Sequence, residues 1–183
     1  MTGTAHSGHL TQLSSVALMA WSGLTLAAAV PGVMRLVRRS PLWERISLPP
    51  GVTLPLLVLL HAWAVLGGPV GLAPGAGPLV TEPVLLVGAV LFWVPVVART
   101  RHRLSDPGRC LYLFLAAPLL DLPAVGVIAT GQSAEGIAMI VGMLPLSVTA
   151  AGVTWSWARR EERLAAAADA LAPPTPGGAP RLP

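Results

Sequence analysis

The sequence contains no lysine, and none of its twelve arginines occurs before Arg35. The stretch ahead of Arg35 therefore lacks the basic region of a cleaved secretory signal. Cysteine is nearly absent: Cys110 stands alone, which excludes an internal disulfide and any paired-thiolate site for zinc or redox exchange. Charge of either sign is scarce, at 11% of 183 residues, with eight acids against the twelve arginines. The arginines sit in short clusters beside apolar stretches and form no stripe along which a nucleic acid could lie, so nucleic acid is not an expected partner. No nucleophile–base pair, nucleotide loop or closed zinc set appears, and the chain does not read as an enzyme.

What is present is apolar. Hydrophobic residues make up 54% of the chain and the mean hydropathy is +0.69, values of an integral membrane protein in a lipid bilayer. Five stretches are long enough to span: residues 9–34, 51–71, 79–97, 109–130 and 135–157. Arginine clusters follow the first, third and fifth of these, and the other two loops hold none. This alternation predicts an all-α, polytopic bundle of five transmembrane helices with the N-terminus outside and the C-terminus cytoplasmic. Residues 1–8 read as an exposed polar leader, 9–163 as the membrane domain, and 164–183 as an Ala/Pro-rich tail that is partly disordered.

The fourth stretch is the one the others must accommodate. It carries Asp121 near its middle, flanked by Pro118 and Pro123. A carboxylate in hydrocarbon costs several kcal/mol and is normally turned inward, and each proline removes an amide donor. With about 1.5 Å per residue, His61 lies roughly 15 Å and Asp121 roughly 18 Å from the inner edge, just outside the midplane. A contact between them, direct or through one water, is expected, either as a packing hydrogen bond or as a functional pair. Glu82 and Glu135 open spans that enter from outside and sit near the outer surface. Glu135, Met139 and Met143 share one helix face, and so do Gln12, Ser15, Met19 and Ser22, a polar stripe expected to pack inward. His9 lies at the outer mouth of the first span. The candidate ligands and proton-binding groups thus gather in the outer half. Each also has a plain reading: methionines as packing, His9 as solvated, the glutamates as reaching outer water.

Several stretches, taken in order, resemble the CtaG family of membrane-embedded cytochrome c oxidase assembly factors. Residues 85–97, LLVGAVLFWVPVV, resemble that family's glycine followed by a Phe-Trp-Trp-Pro run, with Val94 in place of the second Trp. Leu104-Ser105 and Leu111-Tyr112-Leu113 match its Leu-Ser and Leu-Tyr-Leu elements. Gln132 with Gly136-Ile137-Ala138-Met139 resembles its Asp-Gln-x-x-x-Gly-x-x-Met segment, and the helix that follows likewise ends in Arg-Arg-Glu-Glu-Arg. His9 to Leu13 is similar to its His-Met-x-x-His segment, and Leu60-His61 to its Trp-His. Leu10, Leu13 and Gly131 stand where the family has methionine, a second histidine and aspartate; the family also has further spans N-terminal to this point.

The resemblance covers about residues 9–163 and implies a chaperone of the respiratory chain in the bacterial inner membrane. Such a protein assists copper delivery to the oxidase copper–haem centre from the outer side, with oxidase subunits as partners. It implies Cu(I) held by His9 and Met139, with His6 and Glu135 as further candidates; imidazole and thioether suit that ion. His6 and His9 make a two-imidazole arm if the first helix begins early. The expected buried polar set is His61, Asp121, Glu82, Gln12 and Gln132. The alternative is a structural or accessory membrane subunit of a respiratory complex that kept the fold and lost the metal. A small transporter would call for paired broken spans in an internal repeat, which the sequence lacks.

Overall fold

The computed structural model describes residues 3–67 and 78–171, with side chains over 13–67 and 79–171. The side chains of His6, His9 and Gln12, most of the loop expected at 71–78, and the last twelve residues of the expected tail, 172–183, lie outside the described residues. The described chain is all-helical: α1 (Gly3–Leu24), a π-helical stretch (Thr25–Ala29), α2 (Val30–Leu36), α3 (Leu42–Ile46), α4 (Pro50–Leu66), α5 (Pro78–Val97), α6 (Asp106–Ala129) and α7 (Ser133–Leu171). Four of these units are long and apolar enough to cross a membrane: α1 with its continuation into α2, and α5, α6 and α7.

Three boundaries differ from expectation. The helix expected over 51–71 is the 17-residue α4; at 1.5 Å per residue it is about 25 Å long, short of a typical hydrocarbon core. α1 begins at Gly3, inside the expected leader. α7 runs on to Leu171, so the first part of the expected tail is helical, as an Ala-rich stretch favours.

The π-helical stretch follows from Pro31, which has no amide hydrogen and whose ring clashes with the carbonyl four residues back. Widening the helix over Thr25–Ala29 relieves the clash, and Val30 N–H then donates to the Thr25 carbonyl. The Leu26 carbonyl, which in this register would await residue 31, is met instead by Trp93 Nε1–H from α5 at 2.9 Å. A carbonyl freed at membrane depth needs such a donor from a neighbouring helix. Trp93 is 1% exposed and packs edge-to-face on Phe92, which stacks on Tyr112 of α6. Tyr112 Oη donates to the Phe92 carbonyl at 3.2 Å and shares a 2.9 Å hydrogen bond with Thr53 Oγ1 of α4. These contacts lock α1/α2, α4, α5 and α6 together toward the end of the bundle where the arginines lie.

α7 packs against α6 and α1 at very short range. Gly131, at φ +91°, makes the turn between α6 and α7. Beyond it, a Cβ at Gly136 would stand 2.8 Å from the Ala124 carbonyl oxygen. Nearly two turns further, a Cβ at Gly142 would stand 2.7 Å from the Ala20 carbonyl oxygen, and one at Gly23 would stand 3.2 Å from the Gly142 backbone. Small residues let helix backbones meet in this way within membranes, where dispersion replaces the hydrophobic drive. α4 sits between α5 and α6, burying Thr53, Leu54, Leu57 and His61.

Candidate functional site

The Gly23–Gly142 crossing sets the geometry of the other half of the bundle. Met19 lies one turn before Gly23 on α1, and Met139 one turn before Gly142 on α7, so the backbone contact brings both methionines to one level. Beyond this contact the helices leave a cavity of about 250 Å³ between α1, α4, α5 and α7. Its polar and sulfur-bearing lining consists of Ser15, Met19, Ser22, His61, Thr81, Glu82 and Met139. The stripe Ser15, Met19, Ser22 thus turns inward and forms one wall. Met139 is 3% exposed and closes another.

His61 supplies the third wall, from α4. It is 3% exposed, and neither ring nitrogen has a hydrogen-bond partner among the described residues. The ring lies beside the Leu120 backbone of α6 without meeting hydrogen-bond geometry. A buried imidazole with two unused nitrogens costs about 1–3 kcal/mol unless a group within the cavity meets them.

Toward the arginine end the cavity gives way to a dry plug. Phe92, Trp93, Leu120, Met143 and Leu146 surround a void of only about 10 Å³, room for at most one water. Met143, on the same face as Met139, therefore belongs to the packed core, while Met139 faces the cavity.

The other sequence-selected residues distribute as follows. Glu135 accepts a 3.1 Å hydrogen bond from Ser15 Oγ, tying α7 to α1 near the mouth of the cavity. Asp121 makes no hydrogen bond with His61, and its buried Oδ1 has no partner among the described residues. The expected direct pair is not formed. The shared depth holds, since His61 lies beside Leu120, but Asp121 is turned about 100° further round α6 and does not line the cavity. Glu82 and Gln132, expected to be buried, are both exposed. Glu82 stands one turn into α5 and borders the cavity; Gln132 lies in the turn between α6 and α7, where the backbone reverses at the surface. Among the described residues no three His, Cys, Asp or Glu side chains gather as a metal site. Met139 shares its cavity with His61 and Met19, a grouping that sequence reading left apart because it paired His61 with Asp121.

A neutral imidazole with two thioethers is a soft donor set that suits Cu(I) better than zinc or magnesium. No protein-family model, no curated protein and no solved structure matches this chain.

Proposed function

We propose that the chain is a five-span protein of the bacterial inner membrane that holds Cu(I) in its outer half and assists copper delivery to the copper–haem centre of cytochrome c oxidase. The observation that carries this reading is His61, buried with both nitrogens unpartnered, in one cavity with Met19 and Met139. Copper is cargo here. His61, Met19 and Met139 hold it, and the dry plug around Trp93 keeps it from passing to the arginine side. The resemblance to the CtaG family supplies the oxidase as partner.

The topology in this reading has the N-terminus outside and α4 as a short fifth span enclosed by α5 and α6. The arginine clusters at one end favour that orientation. A reporter fused after Arg163 is then cytoplasmic. In cells, deletion of the protein lowers oxidase activity, wild type restores it, and His61→Leu does not; unchanged oxidase after deletion contradicts the assembly role.

One observation favours a second reading, an accessory subunit without metal. The motif residues that carry most of the resemblance, Phe92, Trp93 and Tyr112, are all engaged in packing and hydrogen bonds. Metal analysis of the purified protein separates the two readings.

A further inference from the structure

At the arginine end lies a second cavity, of about 240 Å³, lined by four arginines: Arg35 from the last turn of α2, Arg38 from the turn that follows it, Arg103 from the link between α5 and α6, and Arg109 from the first turn of α6. We propose that this cavity binds a phosphate oxyanion, and that the phosphate is the headgroup of an anionic membrane lipid.

Charge balance comes first. Asp106 is the carboxylate engaged there, and it is shared between Arg109 at 3.4 Å and Arg160. Among the described residues Arg35, Arg38 and Arg103 have no ion pair and no side-chain hydrogen bond. A general preference for arginine on one side of a membrane places cations in loops; it does not require three chain segments to place them around one cavity against their mutual repulsion. An anion with several acceptor oxygens relieves that repulsion, and guanidinium forks match phosphate oxygens in pairs.

The site is also partly fixed in advance. The Arg109 side chain is only 15% exposed, and its Nε donates to the Leu104 carbonyl at 3.2 Å, which holds the guanidinium in place. The remaining wall is mainly apolar, with Trp93, Val96 and Val97 of α5 and Val153 of α7, and Thr149 as its one polar residue. A free phosphate gains nothing from such a wall, whereas the glycerol and upper acyl carbons of a lipid bury against it. The cavity lies at the ends of α2, α5 and α6, at headgroup level for helices that cross the bilayer, where basic pockets between helices meet anionic lipid.

The test uses full-length protein in zwitterionic detergent micelles, with thermal stability and native mass spectrometry as readouts. Added phosphatidylglycerol is expected to raise Tm and to remain bound through mild activation, while phosphatidylcholine does neither. Arg35→Gln with Arg38→Gln, both at exposed positions, is expected to weaken phosphatidylglycerol binding roughly 10- to 30-fold. Arg159→Gln with Arg163→Gln, outside the cavity, is expected to leave binding unchanged. Inorganic phosphate at millimolar concentration is the other arm: stabilisation by phosphate alone, lost in the Arg35/Arg38 variant, keeps the oxyanion site and overturns its lipid source. Equal losses in the two arginine pairs, or no preference for phosphatidylglycerol over phosphatidylcholine, overturn the site itself.

Discussion

The two halves of the bundle handle buried polar groups in opposite ways. Toward the arginines, the indole of Trp93, the phenol of Tyr112 and the hydroxyl of Thr53 are each hydrogen-bonded, and Ser47 donates to Thr100 Oγ1 at 3.0 Å. In the other half lie the only buried side-chain nitrogens and oxygens without a partner among the described residues, on His61 and Asp121. The packed layer around Trp93 leaves a void of about 10 Å³, whereas the space beside His61 is about 250 Å³; the arginine-lined cavity of about 240 Å³ borders that layer at Trp93 and holds none of the unpartnered buried groups. A fold that satisfies a proline-freed carbonyl with an indole from another helix, yet leaves an imidazole open beside two methionines, concentrates its stability in one half and its reactive groups in the other.

The comparison breaks most visibly at Trp93. Trp93→Ala removes a fully buried side chain and the Leu26 cap together, and is expected to cost about 3–5 kcal/mol of stability in detergent unfolding. Trp93→Phe keeps most of the volume and orphans the carbonyl, for about 1–3 kcal/mol. If the two substitutions cost the same, the indole hydrogen bond is what matters there; if Trp93→Phe is silent, the Leu26 carbonyl finds another donor.

Gly142→Val tests the hinge between the halves. Its new atoms meet the Ala20 carbonyl, which is backbone and cannot turn aside, so about 1–3 kcal/mol of destabilisation is expected. Forcing α1 from α7 also separates Met19 from Met139. Copper affinity is therefore expected to fall, whereas Gly152→Ala, where a new Cβ meets nothing within 4 Å, is expected to leave both properties intact.

The smallest effect is the most diagnostic of the open half. His61 and Asp121 share no hydrogen bond, so replacing each with leucine is expected to give stability changes that add within about 0.5 kcal/mol in the double variant. His61→Leu alone is expected to leave stability unchanged or raise it, because it removes an unsatisfied buried group. A coupling above about 1 kcal/mol would restore the pair that the fold does not form.

These effects also mark what was legible in the sequence. The all-helical class, the arginine clusters gathering at one end and the equal depth of His61 and Asp121 follow from counting residues along helices, which composition and rise per residue permit. The inward turn of Ser15, Met19 and Ser22 follows from their spacing. Rotation about the helix axis does not: Asp121 neither bonds His61 nor lines its cavity, although depth alone would allow both. Trp93 was visible as part of a motif, but its role depends on Pro31, sixty residues away and in another helix, whose missing amide creates the carbonyl it caps. The short α4 was also hidden, because the hydrophobic run continues past the point where its helix ends.

The central claim is that the open half is a copper site built on His61. The direct measurement is a Cu(I) titration of purified protein against a chromogenic competitor, run in parallel on wild type and His61→Leu, with thermal unfolding recorded on the same samples. Wild type is expected to take up about one Cu(I), and His61→Leu to lose that binding while unfolding at the same temperature or higher. Equal copper uptake by the two proteins, or none by either, would contradict it.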